Sequence, residues 1–230
     1  KGSENMDKKE LQNPALYTNR ELSWLLFNKR VLSEARDKQL LLFERLKFLS
    51  ITASNLDEFF MVRIGSLVDM IHAEYTKKDI AGMSAKEQLD ALMEETHKFA
   101  ALQYSTYNRM LLPQLRANGL NFVEHHEQLT ERQAQYVDEY FEENVYPVLT
   151  PMAVDSSRPF PLIRNKTLNI GALVAKKGEK DTEIEFATVQ VPSVLPRVVR
   201  IPAAKEGDTE VAVLLLEEII ERNISKQIGR

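Results

Sequence analysis

Residues 54–63, which read SNLDEFFMVR, carry the side chains of this chain best suited to binding chemistry. Ser54 with Asp57, and Asn55 with Glu58, have the capping-box spacing, in which two polar side chains three residues apart satisfy free backbone N–H groups. The spacing predicts that a helix begins here. With Ser54 as the N-cap, the Asn55 amide would be free at a helix N-terminus, which favours anionic or electron-rich ligands. With Asn55 as the cap, its oxygen would already be bound to the backbone in an ordinary structural role.

Four histidines are the candidate nucleophiles and metal ligands of the chain. His72 and His97 fall in predicted helices and have no second ligand at a helical spacing. His125 and His126 are adjacent in a polar connection, and adjacent side chains of an extended segment point apart, which disfavours a shared metal ion. We therefore predict no catalytic histidine and no metal site in this segment.

Six cations among the first 63 residues could form a basic surface if their helices were adjacent: Arg20, Lys29, Arg30, Arg45, Lys47 and Arg63. Acidic residues are interleaved with them, which is typical of a solvated face of mixed charge. The sequence has no Gly-rich phosphate loop, no nucleophile elbow and no carboxylate pair at a diagnostic spacing. Taken by itself, it contains no complete active site.

The composition is that of a soluble globular protein. Of the 230 residues, 43% are hydrophobic and 28% are charged, and the net charge of -4 favours neither nucleic acid nor an anionic membrane as a partner. The absence of cysteine excludes disulfides and thiolate metal sites and agrees with a reducing cytoplasm. No apolar run approaches the roughly 20 residues of a membrane span. We expect a cytoplasmic protein with enough residues for two domains.

Helical periodicity and capping signals dominate residues 15–118, where we predict an all-α bundle. Thr18 with Glu21 should start a helix that ends near Asp37, and Trp24 should anchor the core. Ser84 with Glu87 should start the longest helix. Pro113 should break or kink that helix, and Gly119 should end it.

A mixed composition follows over residues 119–230, where we predict a second domain with a small, largely antiparallel sheet, so that the fold class is α+β. Thr130 and Gln133 cap a predicted helix that ends near Asn144. Predicted strands cover residues 168–175, 184–191, 198–201 and 211–215, with a hairpin turn at 176–181 and a closing helix at 217–226. Two prolines around Phe160 either present this aromatic ring to a partner or lead into the first strand.

Three segments together resemble one known family. ELSWLLFNKRVLSEA (residues 21–35) and FERLKFLSITASNLDEFFMVRIGSL (43–67) resemble the amino-terminal domain of the long bacterial polyphosphate kinases. RPFPLIRNKTLNIGALV (158–174) resembles the start of the sheet region in their second, head domain. The resemblance covers nearly the whole chain from about Tyr17 onward.

The resemblance implies an enzyme that transfers the terminal phosphoryl of ATP to polyphosphate through a phosphohistidine, with magnesium. It also implies that Asn55 contacts the adenine and that the head domain contributes to a homodimer or higher homo-oligomer. The family's catalytic histidines and metal-binding residues have no counterparts here, so this segment alone should be inactive. The alternative from the residues is a non-catalytic helical adaptor that binds a protein through its apolar faces.

Overall fold

The computed structural model describes residues 10–154, 160–174 and 185–228. The chain divides into two compact units, Lys1–Leu115 and Arg116–Arg230. The first is helical, whereas the second combines helices with two sheets. The α+β class predicted from the sequence is therefore confirmed, and each unit has a hydrophobic core of its own.

Three helical stretches build the first unit. The helices are α1 (Arg20–Arg36), α2 (Leu42–Phe59), α3 (Gly65–His72), α4 (Ala85–Thr106) and α5 (Leu112–Ala117). A π-helical turn at Phe60–Ile64 joins α2 to α3, and another at Tyr107–Leu111 joins α4 to α5. Two short 3₁₀ turns, Glu10–Gln12 and Pro14–Leu16, precede α1. At 22 residues, α4 is the longest helix in the described part of the chain, as predicted.

The predicted helix start at residues 54–58 is wrong. Ser54 and Asn55 lie in the interior of α2, which begins after Leu41 without a side-chain cap. The capping-box spacing has no effect there, because residues 42–59 contain neither glycine nor proline and the backbone ladder runs on uninterrupted. Asn55 is thus not at a helix N-terminus, and its role must follow from its tertiary contacts.

The start of α1 also differs from the prediction by one residue. Asn19, not Thr18, is the N-cap, and its Oδ1 accepts from the backbone N–H groups of Glu21 and Leu22 at 3.0 and 2.9 Å. The Asn19 amide nitrogen donates to Gln88 Oε1 at 2.8 Å. Because Gln88 belongs to α4, the cap also joins two helices.

Three other helix signals are confirmed. Ser84 and Thr130 each form a complete capping box. Gly119 follows the end of α5 with a φ of 79°, a conformation that glycine adopts without the clash of a Cβ. Pro113 does not end the helix, which runs on to Ala117 after the π-helical turn that precedes the proline.

Two apolar clusters form the core of the first unit. One contains Leu25, Phe59, Ile64, Leu67, Ala85 and Leu92, and the other contains Leu32, Ala35 and Phe99. Trp24 packs against the first cluster but is only partly buried. The predicted anchor therefore lies at the edge of the core.

The described residues of the second unit form six short strands and two helices. Its elements are β1 (Leu120–Val123), α6 (Glu131–Tyr140), β2 (Pro151–Val154), β3 (Asn169–Val174), β4 (Glu185–Gln190), β5 (Val198–Ile201), β6 (Val211–Leu215) and α7 (Leu216–Ile228). A third π-helical turn, Phe141–Val145, extends α6.

Within the described residues, the strands of this unit form two sheets of three. In the first, with the order β1-β6-β5, β1 runs parallel to β6 and β5 runs antiparallel to it. The second, with the order β2-β4-β3, is antiparallel throughout. Strands β3 to β6 match the predicted segments, whereas the predicted hairpin at 176–181 lies outside the described residues. The sequence analysis missed β1 and β2, which have four residues each; β2 starts with a proline, a residue that weakens the sequence signal of a strand.

One continuous apolar cluster forms the core of the second unit and draws on both sheets and both helices. Phe141, Leu214 and Ile219 are among its fully buried members. None of the described helices has both the length and the apolar composition that a membrane span requires.

Candidate functional site

Asn55 lies in a surface cleft of the helical unit. The cleft has a volume of about 350 Å³ and is lined by Trp24, Phe27, Asn55, Glu58, Phe59, Val62 and Arg63. Small-molecule sites occupy about 300–1,000 Å³ and combine apolar walls with a few polar groups. The size and lining of this cleft fit a single aromatic ring system held by one or two polar contacts.

A buried neighbour fixes the orientation of the Asn55 amide. Asn55 Nδ2 donates to Asn28 Oδ1 at 3.1 Å, and Asn28 Nδ2 donates to the Thr52 carbonyl oxygen at 3.1 Å. Because a carbonyl oxygen can only accept, the Thr52 contact decides which end of each amide is the donor. Asn28 is fully buried, so this arrangement is held by the core.

The remaining polar groups of Asn55 are available to a ligand. Its Oδ1 and its second N–H make no hydrogen bond within the described residues. A neutral amide that offers one donor and one acceptor side by side is the group that pairs with the N6 and N7 edge of adenine. The geometry thus supplies an acceptor and a donor at the wall of an aromatic cleft.

Aromatic rings form the apolar part of the cleft. The rings of Trp24 and Phe59 are stacked, with centroids 4.3 Å apart and planes inclined by 5°. Phe27 is 47% exposed, and the Arg30 guanidinium lies 5.7 Å from its ring centroid. Exposed aromatic faces of this kind can stack on a planar ligand.

Arg63 provides positive charge at the rim of the cleft. Its guanidinium lies 3.6 Å from Glu21 Oε1, and both side chains are partly exposed. Arg63 also lines a neighbouring cleft of about 330 Å³, which contains Lys77 and Lys78. The aromatic cleft therefore adjoins a more cationic one, and Arg63 belongs to both.

The six cations named from the sequence do not form a single basic surface. Arg45 is buried, and its guanidinium donates to the Ala35 carbonyl oxygen at 3.0 Å and to Gln114 Oε1 at 2.9 Å. Arg45 therefore binds the carbonyl at the end of α1, where a cation also complements the helix dipole. Lys47 pairs with Glu44 on the same helix at 2.8 Å. The mixed-charge face predicted from the interleaved acidic residues is therefore confirmed for Lys47. The burial of Arg45 was not predicted.

His125 and His126 do not point apart, so that part of the sequence analysis is wrong. His125 is extended, but the chain turns into a 3₁₀ turn at His126–Gln128. As a result both rings face one carboxylate, with His125 Nδ1 3.7 Å from Glu218 Oε1 and His126 Nδ1 3.3 Å from Glu218 Oε2. His72 and His97 belong to α3 and α4, as predicted.

Sequence reasoning missed Asn28 and gave Trp24 only a core role. Asn28 occupies a position in the otherwise apolar stripe of Leu25, Leu32 and Ala35 on α1. A polar residue in such a stripe is a recognisable signal, because burying an amide is costly unless it is hydrogen-bonded. What the stripe could not show is that the partner of Asn28 is Asn55.

Two family models match this chain. The polyphosphate kinase N-terminal domain matches residues 17–123, and the polyphosphate kinase middle domain matches residues 132–227. Together the matches cover most of both units. The chain belongs to the polyphosphate kinase family and corresponds to its N-terminal and middle domains.

Individual relatives agree with this assignment. The chain is 51% identical over 205 residues to the polyphosphate kinase of Lactiplantibacillus plantarum, covering 89% of this chain and 28% of that protein. It is 45% identical over 218 residues to that of Halalkalibacterium halodurans, covering 94% of this chain and 30% of that protein. The crystal structure of polyphosphate kinase from Porphyromonas gingivalis superposes with a TM-score of 0.78 at 30% identity, over 91% of this chain and 30% of that one. The chain thus spans under a third of the length of these relatives.

Proposed function

We propose that this chain is the amino-terminal part of an enzyme that transfers the terminal phosphoryl of ATP to polyphosphate, and that its helical unit binds the adenine of ATP. The observation that carries the adenine contact is the cleft in which the oriented Asn55 amide lies beside the partly exposed rings of Trp24 and Phe27. Family membership favours this function over the alternative of a non-catalytic helical adaptor.

Each part of the cleft has a role in the proposed complex. The Asn55 amide accepts a hydrogen bond from the adenine edge and donates one to it, while Asn28 holds that amide in its orientation. Phe27 and Trp24 cover the face of the ring and exclude water from it. Arg63 directs the phosphate chain toward the side of the cleft where Lys77 and Lys78 lie, because these cations attract its negative charge.

The chemical step itself requires groups that we place in other domains of the enzyme. In that step ATP would give its terminal phosphoryl to a histidine and release ADP, and polyphosphate would then take the phosphoryl from that histidine. Magnesium held outside this segment would neutralise the phosphate charge. His125 and His126 face a carboxylate instead of a cationic phosphate site, so we assign them no such role. Incubated with labelled ATP and magnesium, this chain should take up no acid-labile phosphate; stoichiometric labelling of any of its histidines would contradict the proposal.

An exposed apolar face in the second unit supports a homo-oligomer, which we place in the cytoplasm. Phe160 is 61% exposed and stacks on Phe186 of β4, with centroids 6.0 Å apart. Leu173 of β3, which pairs with Phe186, is 77% exposed, and Leu162 is 95% exposed. Exposed apolar residues grouped in this way are typical of association surfaces.

The adenine contact is tested with two substitutions at Asn55, made in the longest product that the gene encodes. Asn55→Ala removes about 1 kcal/mol of hydrogen bonding, which is roughly a fivefold loss of ATP affinity. Asn55→Asp adds a carboxylate facing the ring nitrogens, and we expect a loss of about 1.5–3 kcal/mol, on the order of ten- to a hundredfold. Isothermal titration with ATP and with GTP gives both affinities and the preference for adenine.

Ser54→Ala is the matched control, because Ser54 is the exposed neighbour of Asn55 on the same helix and does not line the cleft. It should leave both nucleotide affinities unchanged. ATP affinity and adenine preference that survive both Asn55 substitutions in well-folded protein would remove the adenine contact from the proposal. Polyphosphate binding, measured alongside, shows whether any loss is confined to the nucleotide.

A further inference from the structure

The second unit contains a group of metal-ligating side chains that the proposed nucleotide chemistry does not use. His126, Glu218 and Glu221 each offer one ligand atom, and these three atoms lie within 4.8 Å of one another. His126 and Glu218 are partly buried, whereas Glu221 is exposed. Glu218 and Glu221 are three residues apart on α7, which places both carboxylates on one face of the helix.

The central contact of this group already has the spacing of two ligands on one ion. His126 Nδ1 and Glu218 Oε2 are 3.3 Å apart. A tetrahedral zinc ion with bonds of about 2.0–2.2 Å holds its ligand atoms roughly 3.3–3.6 Å apart. The third ligand, Glu221, needs only a side-chain adjustment to reach the same distance, and it can make one because it is exposed.

Backbone and outer contacts hold the His126 ring in place. The backbone N–H of His126 donates to Glu218 Oε2 at 2.9 Å, which ties the turn to the start of α7. On the other side of the ring, His126 Nε2 lies 3.5 Å from Glu127 Oε1. A metal-bound histidine usually gives its second ring N–H to such a carboxylate, which directs the free electron pair of the other nitrogen at the ion.

We propose that His126, Glu218 and Glu221 bind a divalent transition-metal ion of the zinc type. The ion lies between His126 Nδ1 and Glu218 Oε2, and water completes its coordination. Imidazole with carboxylates suits zinc better than magnesium, which prefers six oxygen ligands. The ion joins the turn at His126–Gln128 to α7, segments 92 residues apart in sequence, and so stabilises the second unit.

His125 provides an internal control beside the proposed ligand. It also faces Glu218, at 3.7 Å, but its ring is exposed, and the group that it forms with Glu127 shares Glu218 with the proposed site. The proposal therefore assigns different roles to two adjacent residues of the same type. Replacing each in turn distinguishes a defined site from weak binding by surface histidines.

The experiment is a zinc titration of this chain against a chromophoric chelator, with thermal unfolding followed by circular dichroism. We expect one zinc ion per chain and a higher melting temperature when zinc is present. His126→Gln and Glu218→Gln should each weaken zinc binding by more than the roughly 10- to 100-fold that loss of an outer contact costs. His125→Gln should weaken it by less than about tenfold.

Several outcomes would overturn the site. They are zinc binding too weak to compete with the chelator, affinity unchanged in His126→Gln, an equal loss in His125→Gln, or competition by magnesium at about the same concentration as zinc. Glu218→Gln retains an oxygen that can accept from the His126 backbone. Should it nevertheless fail to fold, the two histidine variants still decide the question.

Discussion

The two units of this chain have different interiors. The second is built around one continuous apolar cluster, whereas the apolar residues of the first fall into two smaller clusters. Most buried polar side chains of the described residues belong to the first unit: Asn19, Asn28, Arg45, Thr52, Gln88, Thr96 and Thr106. Several of these bond from one helix to another, as Asn28 does to the backbone of α2.

This difference shows how each unit achieves specificity. Sheet pairing already fixes the register of the strands in the second unit, so its core can be largely apolar. Helices have no such ladder between them, and their apolar faces can slide or rotate with little loss. Buried hydrogen bonds between helices remove that freedom, because a displaced helix would leave buried polar groups without partners. In the first unit the same bonds orient the proposed ligand contact, Asn55.

The largest effect should come from the apolar core. Phe141 is fully buried in the second unit, so Phe141→Ala should lower the free energy of unfolding by about 3–5 kcal/mol. Trp24 is the only tryptophan and lies in the first unit, so its fluorescence monitors that unit alone, whereas circular dichroism monitors both. If the units fold semi-independently, as predicted with a boundary near residue 119, the fluorescence transition should not move. Phe43→Ala, at a ring that is 59% exposed, is the control and should be nearly neutral.

The second-largest loss of stability should come from substitutions of the buried polar residues in the first unit. Asn28→Ala leaves the Asn55 amide without its orienting acceptor and should lower the free energy of unfolding of the first unit by about 1–3 kcal/mol. Denaturant titration followed by Trp24 fluorescence measures this. The double variant Asn28→Leu/Asn55→Leu should cost less than the sum of its two single changes, because it removes both partners at once. Strict additivity would mean that the two amides do not support each other.

The next smaller loss of stability should distinguish the N-cap at Ser84 from the cap-like spacing at Ser54. Ser84→Ala removes a complete capping box and should cost about 0.5–2 kcal/mol. Ser54→Ala, at the spacing that resembles a cap within α2, should be neutral or slightly stabilising, because alanine is the better helix former. Equal losses in thermal unfolding experiments would restore a helix start at residue 54.

The capping box also predicts a change in pH dependence. Hydrogen bonds from the Ser84 backbone N–H and hydroxyl hold the pKa of Glu87 below its ordinary value. The stabilisation is therefore present above the unfolded pKa of Glu87 and is lost as the pH falls through its folded pKa. Ser84→Ala removes one of these bonds, so the loss of stability on acidification should be shallower than in the wild type. Melting temperatures measured across the acidic range would show this.

The smallest effect should be a gain in stability. The buried hydroxyl of Thr96 has no hydrogen-bond partner among the residues that the structure describes, so Thr96→Val should raise the free energy of unfolding by up to about 1 kcal/mol. Thr106 is its matched control on the same helix, since its hydroxyl donates to the Leu102 carbonyl oxygen and accepts from Arg36. Thr106→Val should destabilise the first unit. If both variants changed the free energy of unfolding in the same direction, hydrogen bonding of the two hydroxyls would not explain the stability of the first unit.

Local signals in the sequence determined much of this protein. Periodicity and caps predicted α1, α4 and α6, the stop at Gly119 and strands β3 to β6, because these features depend on residues close together in the chain. The three quoted segments were enough for the family. The boundary predicted near residue 119 and the role of Asn55 remain predictions.

Only the tertiary structure decided the contacts between distant segments. The residues around Asn55 have the spacing of a helix start, yet α2 continues through them, with no glycine or proline to interrupt it, and packs against α1. Asn55 therefore depends on Asn28, which is buried on another helix. His126 and Glu218 likewise meet although they are 92 residues apart. A pattern of neighbouring residues can predict an element, but long-range packing decides which side chains share a site.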